Sequence, residues 1–197
     1  MNNLKIGITG GIGAGKTLIS TIFKNLGIPV YYADERAKFL MNRDEKLKNT
    51  ILATFGPEAF QDGVLNREYL ALNVFENKSN LQKLNRMVHP VVQEDYRQWC
   101  LQHSDNEYTL KEAALLFETG SYQELDQTIL VYAPKTVRIN RVLMRDSNRS
   151  VTDIENIIRN QMDEEEKRKR ADHIIYNDNS QLVIPQVLDI HNRLKWS

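Results

Sequence analysis

Residues 4–26, LKIGITGGIGAGKTLISTIFKNL, constrain the fold more than any other stretch of this chain. Leu4 to Thr9 is a short apolar run that reads as a strand, and Ile19, Ile22, Phe23 and Leu26 mark one face of a helix. Between them lies Gly10-Gly11-Ile12-Gly13-Ala14-Gly15-Lys16-Thr17, which fits G-x-x-x-x-G-K-[ST], the phosphate-binding P-loop. Its glycines let the backbone take positive φ and approach a phosphate with no Cβ in the way. Successive amides, backed by a helix N-terminus, then form a concave anion site. Lys16 supplies a flexible charge for the β- and γ-phosphates, and the Thr17 hydroxyl is a hard oxygen suited to Mg²⁺. The stretch predicts a nucleoside triphosphate site.

Strand–helix alternation continues past the loop. Gly27 stands where helices commonly end, Val30-Tyr31-Tyr32 reads as a second strand, and a helix from Glu35 to Met41 follows. Asp34, between them, has two readings. It is either the N-cap of that helix or a carboxylate placed at a strand's carboxyl end, where open α/β sheets bind ligands, to accept a proton from a substrate hydroxyl.

From Arg43 to His103 the pattern predicts helices only. One carries Leu47, Ile51, Leu52 and Phe55 and stops at Gly56-Pro57; Asp62-Gly63 is a turn; Asn66 caps a helix through Phe75. Ser79 and Gln82 form a capping box for the next helix, which His89-Pro90 is expected to break before a last helix from Val91 to Gln102. Such an insertion is either a substrate lobe or plain elaboration. Arg67, Arg86, His89 and Arg97 are its candidate anion ligands, each weighed against a merely solvated helix face.

Strands resume at Tyr108–Ala113 and Thr128–Ala133, with Leu115-Leu116-Phe117 leading to Glu118 at the exit of the first. Glu118 is either a cap or ion-pair partner, or a holder of a metal-bound water or substrate group. A helix from Thr136 to Arg145 sets Arg138, Arg141 and Arg145 at i, i+3 and i+7, hence on one face. Thr152 with Glu155 is read as the capping box of the next helix, and 163–170 as a solvated charge run. The arginine series beside an inter-helix turn favours a lid that neutralises charge on a transferred phosphoryl group. His173 to Tyr176 is the last strand, and a helix from Leu182 to Leu194 closes the chain.

Composition excludes several classes. Lysine plus arginine and aspartate plus glutamate are 26 each, so no global basic field points to nucleic acid or an anionic membrane. Cys100 is alone, which suits a reducing cytosol, and no apolar run approaches membrane-spanning length; the early first strand predicts no signal peptide. The GTPase signatures D-x-x-G and N-K-x-D are absent. A P-loop, a helical insertion and an arginine lid together predict a small-metabolite kinase. A kinase for another nucleoside and a regulatory ATP-binding module are the rival readings.

Nearly the whole chain, in order, resembles the dephospho-coenzyme A kinase family. The resemblance runs through ITGGIGAGKT, Tyr32-Ala33-Asp34, Leu84-Asn85-Arg86-Met87-Val88-His89-Pro90, Leu115-Leu116-Phe117-Glu118, Arg141 to Arg145, Gln161, and Ala171-Asp172 to Asn177. It implies an α/β, three-layer P-loop NTPase fold: a parallel core of about 1–34, 105–136 and 171–197, a helical substrate lobe of about 35–104 and a lid of about 137–170. It implies transfer of the γ-phosphoryl of ATP, with Mg²⁺, to the ribose 3′-hydroxyl of dephospho-coenzyme A. Asp34 would be the general base, and Lys16, Arg141 and Arg145 would stabilise the transferred group. Asn177 would lie near the adenine, and the helical insertion would hold the acceptor. From their own positions, Asp34, Arg67, Arg86, His89 and Glu118 are taken as the substrate-binding candidates. A cytoplasmic monomer or weak homo-oligomer is expected. The family usually has Asp where this chain has Tyr32, often Pro where it has Ala114, and commonly Ser-Thr where it has Thr17-Leu18.

Overall fold

The structure is a computed structural model that describes residues 3–75 and 78–195. The first of its two units, residues 1–32 and 103–197, is built on a five-stranded sheet. Its strands are β1 (Leu4–Thr9), β2 (Val30–Tyr32), β5 (Tyr108–Glu112), β6 (Gln127–Tyr132) and β7 (His173–Tyr176). Their order is β2-β5-β1-β6-β7, and every pairing is parallel. The P-loop strand is therefore central, with both ladder edges satisfied. Strands buried on both faces read as continuous apolar runs, which is why the sequence pattern located them closely.

Alternation sorts each strand between two faces. Ile6 and Ile8 of β1 join Leu110, Ile129, Val131 and Ile175 under α1 (Lys16–Asn25) and α9 (Val183–Lys195), which bring Ile19, Phe23, Val187 and Ile190. Each such side chain contributes about 1.5–3 kcal/mol by leaving water. Gly7 faces the other way, where a Cβ would lie 2.6 Å from both Leu116 and Leu125. The segment after β5 thus packs so closely on β1 that any larger residue at position 7 would have to displace the Leu116 and Leu125 side chains. The helices α6 (Lys135–Arg145), α7 (Val151–Arg159) and α8 (Glu164–Arg170) belong to the same unit.

The second unit, residues 33–102, holds α2 (Ala33–Arg43), α3 (Glu45–Phe55), α4 (Arg67–Phe75) and α5 (Lys78–Gln102). Its core joins Leu47, Ile51, Phe55, Leu65, Leu70 and Val88. It is not helical throughout. β3 (Phe60–Gln61) and β4 (Val64–Leu65) form a small antiparallel hairpin, turned by Asp62 at φ 51° and Gly63 at φ 78°. Two positive φ values in a two-residue loop give the turn whose twist suits a hairpin.

Three boundary expectations are corrected. Pro90 does not break the helix: α5 runs unbroken from Lys78 to Gln102. A proline inside a helix costs about 3 kcal/mol, but here the apolar stripe continues across it through Leu84, Met87, Val88, Val91 and Val92 onto the core. Ser79 consequently lies inside the first turn of α5 rather than capping it. The capping box of α7 is Ser150 with Asp153, not Thr152 with Glu155. Ser150 Oγ accepts from the Asp153 amide at 3.1 Å, and the Ser150 amide donates to Asp153 at 2.9 Å.

Candidate active site

The P-loop turns at the carboxyl end of β1. Gly13 at φ 79° and Gly15 at φ 98° occupy left-handed backbone that glycine alone adopts freely. Space requires them as well. A Cβ on Gly13 would meet the Arg138 carbonyl oxygen, and one on Gly15 would meet Asn177 Nδ2. Lys16 Nζ donates to the Gly10 carbonyl at 2.9 Å, and the Ala14 amide to the Gly11 carbonyl at 3.0 Å. Beside the loop lies a cavity of about 230 Å³ lined by Gly13, Gly15, Lys16, Thr17, Arg141 and Arg145, among others. A helix N-terminus, a lysine and two arginines bordering one hollow have the chemistry to take an anion.

The loop is braced from the β7 side. Asn177, buried just past β7, donates from Nδ2 to the Ala14 carbonyl at 2.8 Å. Arg141 Nη1 donates to the Asn177 carbonyl at 2.8 Å, and its Nη2 to Asn179 Oδ1 at 2.9 Å. Its fork is therefore engaged by the chain that follows β7, whereas Arg145 is exposed at the cavity wall. The arginine series does not share one environment. Arg138 is buried, its guanidinium lies where a Gly11 Cβ would be, and its Nη1 is 3.8 Å from Glu164 Oε1.

Glu118 lies in the turns after β5. Its Oε1 accepts from the Met162 amide at 2.7 Å and lies 3.3 Å from Lys167 Nζ. Lys167 is fully buried and is also 3.5 Å from Glu164. The run 163–170 is thus not simply solvated: one turn of α8 points a lysine inward, and two carboxylates meet it. A buried ammonium persists only when so paired.

Thr17 Oγ1 donates to Glu112 Oε1 at 3.3 Å. Glu112, the last residue of β5, was not singled out from the sequence. A carboxylate at the carboxyl end of a strand beside the P-loop strand was the signal available. Hydroxyl and carboxylate form a hard-oxygen pair beside the loop. Mg²⁺ keeps several waters and takes one or two protein oxygens plus substrate phosphates, so this donor set fits it.

In the second unit, Asp34 sits in the first turn of α2, two residues beyond the end of β2. It is not an N-cap; a carboxylate there complements the positive end of the helix dipole. Arg67 is exposed at the start of α4, and Arg86 and His89 are exposed three residues apart on α5. Arg97 is exposed on the same helix and lies 3.6 Å from Glu94.

A parallel sheet with a P-loop leaving its central strand, cations converging on the loop and hydroxyl and carboxylate oxygens beside it, defines a P-loop kinase. The comparisons narrow the class. Residues 4–182 match the family model described as CoaE, dephospho-CoA kinase. The chain belongs to the dephospho-CoA kinase family. It is similar to the dephospho-CoA kinase of Bacteroides fragilis, 38% identical over 187 residues that cover 95% of this chain and 91% of the relative. Among solved structures, TT1252 from Thermus thermophilus superposes with a TM-score of 0.86 at 34% identity, covering 98% of each chain. Dephospho-CoA kinase from Campylobacter jejuni superposes with a TM-score of 0.71 at 26% identity, covering 98% of this chain and 97% of that one.

Proposed function

We propose that this protein transfers the γ-phosphoryl group of ATP to the ribose 3′-hydroxyl of dephospho-coenzyme A, giving coenzyme A and ADP. The observation that carries the reading is family membership across residues 4–182, joined to a P-loop braced on both sides. The amides of Gly13, Gly15, Lys16 and Thr17, with the Lys16 ammonium, take the phosphates. Lys16 exchanges its internal bond to Gly10 for a phosphoryl oxygen. Thr17 and Glu112 would hold Mg²⁺, which supplies neutralisation of charge between the β- and γ-phosphates. Arg145, exposed at the cavity wall, neutralises the phosphoryl group in transfer, and Arg141 orders the nucleotide-facing wall it shares with Asn177.

Asp34 is assigned as the base that takes or orients the acceptor hydroxyl. Its support is its position two residues past a sheet strand's carboxyl end. Arg67, Arg86 and His89 are proposed to grip the acceptor from the helical lobe. Glu118 was expected to touch substrate; its engagement with Met162 and Lys167 supports a structural role instead. The reaction and the absence of a membrane-length apolar helix among the described residues are consistent with work on a soluble metabolite.

ADP release measured with dephospho-coenzyme A, with a panel of nucleosides and with no acceptor tests the assignment. Turnover confined to dephospho-coenzyme A is expected. Faster turnover of a nucleoside would make this a different kinase, and acceptor-independent release would make it an ATPase module.

A further inference from the structure

The P-loop has a third brace, contributed by the loop between α7 and α8. Gln161 Oε1 accepts a hydrogen bond from the Ile12 amide at 3.0 Å. Ile12 stands at the middle of the loop, flanked by Gly11 and Gly13, where the backbone has least intrinsic stiffness. The other braces act towards its ends, at Gly10 and Ala14. Ile12 is also missing from the residues that line the cavity beside the loop, which include Gly13, Gly15, Lys16 and Thr17. Its amide is committed to protein, as is that of Ala14, while Gly13, Gly15, Lys16 and Thr17 face the cavity.

Gln161 is itself held. The next residue, Met162, donates its amide to Glu118 at 2.7 Å, and Lys167 from α8 pairs with Glu118 and Glu164. Arg138, whose side chain is 4% exposed, fills the space beside Gly11 and faces Glu164. Two buried cations, Arg138 and Lys167, and two partly exposed carboxylates, Glu118 and Glu164, thus form a quartet beside the phosphate loop. Such a quartet is rigid only while complete, because removal of one member strands a buried charge.

We infer that Gln161 is a positioning residue for phosphoryl transfer: by holding the Ile12 amide it sets the course of the phosphate loop, and the Glu118–Lys167–Glu164–Arg138 quartet holds Gln161 in place. The inference rests on the reading of the P-loop as the nucleotide site. Phosphoryl transfer depends on alignment more than on covalent chemistry, so a displaced loop acts on the rate. A misplacement of about 1 Å can cost on the order of 10²-fold.

The test compares Gln161→Met, which keeps length and loses the acceptor, with Gln161→Glu, which keeps an acceptor, and with Lys16→Ala. For each whole enzyme, kcat, KM for ATP, KM for dephospho-coenzyme A and Tm are measured. Gln161→Met should lower kcat/KM for ATP by roughly tenfold or more, with KM for dephospho-coenzyme A and Tm near wild type. Gln161→Glu should recover kcat, while its negative charge near the phosphates leaves KM for ATP raised. Wild-type ATP kinetics in Gln161→Met, a loss that tracks only a fallen Tm, or a glutamate variant no better in kcat than the methionine one would each overturn the inference. Full activity in Lys16→Ala would instead remove the P-loop reading on which it rests.

Discussion

The charged residues of the two units are arranged in opposite ways. In the sheet-bearing unit, Arg138 and Lys167 are buried, Asn177 is nearly so, and each meets a partner that also touches or borders the P-loop. In the helical unit, Arg67, Arg86 and His89 stand exposed on α4 and α5, and the buried residues are apolar. The contrast teaches where preorganisation is needed. A phosphate loop works by presenting donors already aimed at developing charge, so its surroundings must be rigid before substrate arrives. The acceptor-gripping role proposed for the helical unit only has to supply binding energy, which exposed side chains can do on contact.

The largest way to break this contrast is Lys16→Ala. Lys16 lines a surface cavity rather than the core, so Tm should barely move while kcat falls by on the order of 10³-fold, a loss of transition-state charge stabilisation. Retained kcat would detach the P-loop from the chemistry. Next comes Asp34→Asn. Loss of a general base costs about 10²–10⁴ in rate, and because Asp34 lies inside the first turn of α2 only a weak dipole interaction is lost with it. Full activity in a folded Asp34→Asn enzyme would leave that carboxylate as a helix-dipole partner.

Stability should separate the units most sharply. Lys167→Met strands Glu118 and Glu164 without their buried cation, and breaking a buried pair costs about 3–5 kcal/mol. Arg67→Ala, on an exposed helix start, should stay within about 0.5 kcal/mol. Denaturant titration of both checks this, and similar midpoints would erase the contrast. A smaller difference is expected between neighbouring arginines. Arg145→Lys keeps charge but loses the planar fork, so it should lower kcat several-fold with an unchanged Tm. Arg141→Lys forfeits the bonds to Asn177 and Asn179 and should lower Tm as well. Equal Tm values for the two would place both on a solvated face.

The smallest effect is one of pH. His191 is buried on α9, where its Nδ1 and the Tyr108 hydroxyl are hydrogen-bonded at 2.6 Å. Burial, with Lys195 nearby, lowers its pKa below the ordinary histidine value, and burial does the same to His173. The unfolded chain therefore binds more protons below about pH 6.5. Stability from these groups is complete above that value and is lost as pH falls through it towards the folded pKa. Tm should drop between pH 7 and pH 5, and drop less in a His173→Gln, His191→Gln variant. Identical pH slopes would show that neither ring contributes.

What the sequence determined by itself was whatever depends on short-range pattern. The run Leu4–Thr9, the glycine spacing of the loop and the apolar strands at 108–113, 128–133 and 173–176 all appear as elements within a residue or so. Each is specified by burial on both faces or by positive φ, and neither needs a distant partner to be read. Segments of the family pattern likewise carried the kinase assignment. The tertiary structure decided the rest, because it depends on which residue a side chain meets. Pro90 sits inside a helix because packing of the flanking stripe outweighs its local penalty. Arg138 separates from Arg141 and Arg145 because, near the start of α6, it meets Gly11 and Glu164, which the helical spacing does not reveal. Lys167 is indistinguishable from its charged neighbours along the chain, and its burial arises only where Glu118 and Glu164 converge on it from separate segments.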